Sequence, residues 1–278
     1  MAIVIVPAAV PGTGPLAIDL GGILPERLAG LDAPAVARLP IRADGQPCRL
    51  GDLFVVEGSA DDGRIELRGD FSRVHRIGAE MAAGRIEVGG DAGRHAGERM
   101  SGGTLAIAGG AGDWLAAELA GGSVTVAGPA GDNVAAALPG SDIGMRGGMV
   151  IVGGSVGGLA GARMRRGILA VAGACGPAAA FEMRAGSVVC GAGVGSAPAL
   201  GMRRGSLVVL DGACPIPAGF RPGATWAPTI LPLLLRRLAA AGFRPGARGL
   251  PDAWEHWHGD ALSGGRGEIF RRPAAGDA

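Results

Sequence analysis

Arginine recurs at one place in the chain. Arg146, Arg165, Arg184 and Arg203 stand 19 residues apart, each directly after a methionine, with Arg166 and Arg204 beside two of them. A guanidinium fork can hold a carboxylate through two parallel hydrogen bonds, so such a series suits a run of carboxylates. Like charges in a column also repel, so the column calls for anions. Glu182 or an acidic partner surface could supply them. Other reactive groups are sparse. Cys48, Cys175, Cys190 and Cys214 stand far apart with no C-x-x-C pair, which argues against a zinc site, a redox motif or an iron–sulfur cluster. No lysine is present, so none can serve as a Schiff base, a general base or a P-loop cation. His75 and His95 have no partnered Ser or Cys in sequence, and Gly89-Gly90, Gly109-Gly110 and Gly153-Gly154 lack the Lys-Ser/Thr of a phosphate loop. In Trp254-Glu255-His256-Trp257-His258 the two histidines have no third residue at metal-ligand spacing. That segment reads as a docking surface carried by Trp254 and Trp257. Neither a catalytic nor a metal site is expected in this chain.

The elements that position the arginines follow from a repeat. Gly-x-aliphatic-x-aliphatic units begin at Gly63, Gly84, Gly103, Gly122, Gly148, Gly167, Gly186 and Gly205. Their spacings are 21, 19, 19, 26, 19, 19 and 19 residues, the two exceptions reading as insertions of two and seven. Period-2 aliphatics make a short strand with one buried face. Three residues before the anchors stand Met81, Met100, Leu119, Met145, Met164, Met183 and Met202. Their register makes them an inner corner, since the flexible thioether chain fills irregular gaps. One unit cannot bury its apolar face alone, but stacked coils can. The expected fold is therefore all-β, a parallel β-helix of about 19 residues per coil, right-handed by the general preference for right-handed parallel crossovers. An 18-residue hexapeptide coil and the Asp-containing calcium nonapeptide do not fit the columns.

Composition agrees. Glycine contributes 54 of 278 residues without a collagen-type triplet, and 48% hydrophobic content is incompatible with disorder. A net charge of +1 gives no field for nucleic acid or a membrane surface, and no apolar run is long enough to span a bilayer. The opening Met-Ala-Ile-Val-Ile-Val-Pro reads as a strand, and a cytoplasmic protein with reduced thiols is expected. Three parts are expected: an N-terminal segment over 1–58, with a turn at Ala43-Asp44-Gly45 and a strand at Leu53–Val56; the repeat over 59–212; and a capping and partner-docking extension over 213–278. A helix over Pro228–Ala241 is expected to cap the open end.

The repeats from Gly84 to Leu210, with the tail Gly259-Asp260-Ala261-Leu262 and Gly264-Gly265-Arg266-Gly267-Glu268-Ile269, resemble the C subunit of formylmethanofuran dehydrogenase and of the formyltransferase/hydrolase complex. The resemblance spans roughly 41–270. It implies a structural subunit of a one-carbon enzyme, packed against formyltransferase-like, amidohydrolase-like and molybdopterin-enzyme-like subunits that hold the active sites. It also implies a methanofuran- or methylofuran-type formyl carrier at the level of the complex, whose polyglutamate arm Arg146, Arg165, Arg184 and Arg203 could meet. A redox version of the complex, or a glutamate-synthase-type domain with a related repeat, stays open.

Overall fold

The computed structural model describes residues 2–8, 17–246 and 249–273. In chain order the first strands are β1 (Ile3–Pro7), β2 (Ile18–Asp19), β3 (Pro40–Ala43), β4 (Gln46–Arg49) and β5 (Phe54–Gly58). The repeat supplies β6 (Arg64–Leu67), β7 (Val74–His75), β8 (Arg85–Val88), β9 (Thr104–Ile107), β10 (Ser123–Val126) and β11 (Met149–Val152). It continues through β12 (Ile168–Val171), β13 (Ser187–Cys190) and β14 (Arg204–Val209), and the tail adds β15 (Arg221–Trp226), β16 (Trp254–Gly259) and β17 (Arg266–Arg271). The α-helices are short: α1 (Pro25–Leu28), α2 (Ala33–Ala37), α3 (Leu50–Leu53) and α4 (Ile230–Ala240). The fold is all-β, built on a 13-stranded sheet.

Each Gly-x-aliphatic-x-aliphatic unit forms one strand of that sheet. From β6 through β8 to β14 the strands pair parallel, each with the strand one coil later, so Ile86, Leu105, Val124, Val150, Leu169, Val188 and Leu207 fall in one file. A slip of one residue would turn every one of these aliphatics outward, which is why the register is fixed. Parallel bridges from Phe71 through Ala92, Ala111, Ala130, Val156 and Cys175 to Val194 tie a second side of the coils together. The seven residues of the methionine column are fully buried and join the same hydrophobic cluster. At the anchor Gly148 φ is +79°, and a Cβ there would stand 2.6 Å from the Gly122 carbonyl oxygen one coil below. Only glycine permits that approach.

At the N-terminus β1 lies antiparallel to β5 and parallel to β6, which extends the sheet beyond the first coil. Strands β3 and β4 form a hairpin through Asp44 (φ 49°) and Gly45 (φ 79°), the turn the sequence signals. At the other end β17 pairs parallel with β14, and β16 and β15 follow antiparallel. The helix forms at the expected place but not in the expected role. Leu231, Leu235 and Leu238 of α4 pack on Ile151, Ala170, Val189 and Val208, the outward-facing residues of β11–β14. The helix therefore covers the outer face of the sheet, and strands continue its end. The reason is that the outward position of each unit turns apolar and bulky only in the later coils, where Ala106 and Thr125 give way to Ile151 and Val189. An apolar outer strip needs a cover, and α4 buries it.

Candidate functional site

The arginine column is a ladder in the structure. The backbone N–H groups of Arg165, Arg184 and Arg203 donate to the carbonyl oxygens of Met145, Met164 and Met183, each at 2.8 Å, and Arg146 donates to Leu119 O at 2.6 Å. The rungs therefore sit at the strand spacing of roughly 4.8 Å. Arg146, Arg165, Arg166, Arg203 and Arg204 are exposed and Arg184 is half-buried. In β17 the exposed Arg266 pairs in register with Arg204, in the file beside the ladder. Among the described residues none of these guanidiniums makes an ion pair. The nearby acid Glu182 does not neutralise them; its Oε2 lies 2.8 Å from Arg163 Nε.

That pair belongs to a second column, one that motif spacing did not bring out. Directly before the methionine column stand Glu80, Arg99, Glu118, Gly144, Arg163, Glu182 and Gly201, whose charges alternate in sign with a gap at Gly144. Arg99 Nε lies 2.9 Å from Glu118 Oε2. Burial pushes the Glu118 carboxyl up, but hydrogen bonds from Ser141, Arg99 and the Leu138 N–H hold it below the usual carboxylate range. The seven-residue insertion is pinned here, because Arg163 also donates to Ser141 O at 3.0 Å. Its charges are legible one place before Met81, Met100, Leu119, Met164 and Met183.

The histidines are absorbed by local contacts. His95 Nδ1 lies 2.7 Å from the buried Glu98, whose carboxyl that contact holds low against burial. His75 Nδ1 accepts the Arg94 backbone N–H at 3.0 Å. Trp254 is 3% exposed and packs under α4, so its ring fills the interior and offers no surface to a partner. Trp257 is half-buried against the inner cluster, with the Arg271 guanidinium 5.5 Å over its ring. The exposed tryptophan is Trp226 of β15. Cys175 and Cys190, distant in sequence, place their sulfurs 2.7 Å apart in the interior. All four cysteines are free, and burial pushes the Cys214 thiol up to about 11. Among the described residues no group of three or more His, Cys, Asp or Glu could hold a metal ion. None of their helices is long and apolar enough to cross a membrane.

Fold and site together define an all-β repeat protein that presents a cationic column and, among the described residues, no clustered metal-ligating groups. Across 98% of its length the chain matches a solved chain of the formyltransferase/hydrolase complex from Methylorubrum extorquens in complex with methylofuran. The match covers 100% of that chain, with 30% sequence identity and a TM-score of 0.86. The C subunit of the molybdenum-containing formylmethanofuran dehydrogenase 1 from Methanosarcina barkeri is 36% identical over 77 residues, 26% of each chain. The C subunit of the formyltransferase/hydrolase complex Fhc from Methylorubrum extorquens is 32% identical over 83 residues, 30% of this chain and 31% of that one. These curated relatives are thus matched over about a quarter to a third of their length. No protein-family model matches the chain. The chain belongs to the family of C subunits found in formylmethanofuran dehydrogenases and formyltransferase/hydrolase complexes.

Proposed function

We propose that the chain is the structural C subunit of a cytoplasmic formyltransferase/hydrolase complex, a right-handed parallel β-helix with no catalytic site of its own. In this reading it holds a formyltransferase-like and an amidohydrolase-like subunit in fixed relation while they convert a formyl-carrier coenzyme to formate. The observation that carries it is the end-to-end likeness to a chain of such a complex. The parts 1–58, 59–212 and 213–278 then serve as lead-in, helix and docking extension. The column Arg146, Arg165, Arg184 and Arg203 receives carboxylates, either from the polyglutamate arm of a methylofuran-type carrier or from an acidic face of a partner. Its unpaired guanidiniums at a regular spacing fit that chemistry. Trp257, with Trp226, belongs to the docking surface. A redox version is favoured by the local identity to a molybdenum-containing dehydrogenase. It would bring a molybdopterin-binding partner with bound metal.

Native mass spectrometry of the chain purified from its own host tests the reading. Arrival with three partners in fixed ratio, without molybdenum or tungsten, is the expected result. Metal in the assembly selects the redox version, and a solitary, monodisperse chain overturns both.

A further inference from the structure

The sheet ends on β15, whose six residues are all exposed, although it is an edge strand of a 13-stranded sheet. Its antiparallel pairing with β16 is irregular between Pro222 and Thr225 and resumes at Thr225 and Trp226, opposite Glu255 and Trp254. A side-chain contact adds to that pairing: Trp226 Nε1 donates to His256 Nδ1 at 3.4 Å. An imidazole nitrogen accepts only while it carries no proton, so this bond requires neutral His256 with its proton on Nε2. That Nε2 is buried and makes no hydrogen bond, with Glu268 Oε1 3.4 Å away. The ring is 7% exposed and stacks on Phe270 at 4.4 Å with 5° between planes.

We propose that His256 is a proton-operated latch on the edge strand: neutral, it holds Trp226; protonated, it turns to Glu268 and releases the indole. Protonation replaces the acceptor at Nδ1 by a donor facing the indole N–H, and two donors cannot bond. At Nε2 the same proton turns a loose contact into a charge-assisted one, which is shorter and roughly twice as strong. Both changes push the ring the same way.

The groups around His256 suit this role. From β16 comes His258, with ring centroids 4.0 Å apart; from β17 come Glu268 and Phe270; from β15, Trp226. Ser206 of β14 donates to Glu268 Oε2 at 3.0 Å and orients the carboxylate. Arg204 of β14 and Arg266 of β17 are exposed, and Arg236 of α4 bonds back to Pro232 O. Glu255 of β16 is held by Arg271 of β17 at 2.6 Å. Burial, and then His258, hold His256 below the usual histidine range, with Glu268 opposing, so the latch is closed at neutral pH and opens only below that range. Every group in the latch belongs to this chain, so it stands whether or not the proposed complex does.

Tryptophan emission of the full chain, with Trp226→Phe subtracted, reads the latch between pH 7.5 and 4.5. A reversible red shift of the Trp226 component, at constant far-UV circular dichroism, is expected. His256→Gln keeps an acceptor but cannot gain a proton, and should abolish the transition. Glu268→Gln should move it about one pH unit lower. A transition that persists in His256→Gln, or emission that stays constant in the wild type, overturns the proposal. Nitrogen-15 spectra of histidine in the unmodified chain give a second readout that needs no variant. His256 must carry its proton on Nε2 at neutral pH, and an Nδ1–H tautomer overturns the latch.

Discussion

Two charged columns, one directly before and one directly after the buried methionines, overlap at Met164 and Met183, yet they handle charge in opposite ways. The column before the methionines carries Glu80, Arg99, Glu118, Arg163 and Glu182, interrupted by Gly144, and forms the coil-to-coil pairs Arg99–Glu118 and Arg163–Glu182. The column after them reads Arg146, Arg165, Arg184 and Arg203, with no internal anion among the described residues. A stacked repeat brings each position close to its own copies, so a column of one sign carries a standing repulsion. The first column removes that repulsion within the chain. The second leaves it, and the carboxylates proposed for a carrier arm or a partner face would relieve it.

The largest expected effect tests the wall the columns share. Met164→Ala removes a fully buried side chain between Arg163 and Arg165, and should cost about 2–5 kcal/mol in denaturant unfolding. A loss under about 1 kcal/mol would mean that the methionines do not hold the corner together.

Next comes the second column. Replacing Arg165 and Arg184 together with Ala should leave the melting temperature unchanged or slightly higher. It should weaken binding of a polyglutamate-bearing carrier or an acidic partner by about tenfold, near 1.4 kcal/mol. That loss should shrink at high salt, because exposed charges are screened. Unchanged affinity in an intact complex removes the comparison's functional half.

The smallest effect lies in the first column. Glu118→Gln should destabilise the chain by about 1 kcal/mol at neutral pH. The Glu118 carboxyl titrates lower folded than unfolded. Its contribution is therefore present above the unfolded value of about 4.3 and is lost as pH falls through the folded one. The variant should flatten the acid limb of the stability curve, and equal limbs would show that the ladder is idle.

Much of the repeat was legible because a period is a spatial instruction. Equal spacing put like residues in one file, so the strands, the buried methionines and the arginine ladder could all be read from residue numbers. Flanking segments have no such period. Nothing in Trp254-Glu255-His256-Trp257-His258 says which alternate faces α4, so the burial of Trp254 under that helix is not legible in the sequence. The helix over Ile230–Ala240 is legible in sequence but its seat in space is not, because the outer strip that attracts it is spread over four coils.

The sequence alone thus determined what repeats: parallel short strands, glycine at the tight anchors, a thioether interior and a column of guanidiniums. Only the tertiary structure decided what lies between columns and beyond them. It joined Glu182 to Arg163 and not to the arginine ladder, brought the Cys175 and Cys190 sulfurs together, and set His256 between Trp226 and Glu268. The physical reason is that periodicity fixes neighbours along the stack. Neighbours around a coil or across a non-repeating tail depend on how side chains and helices settle on a surface that is formed only once the coils have stacked.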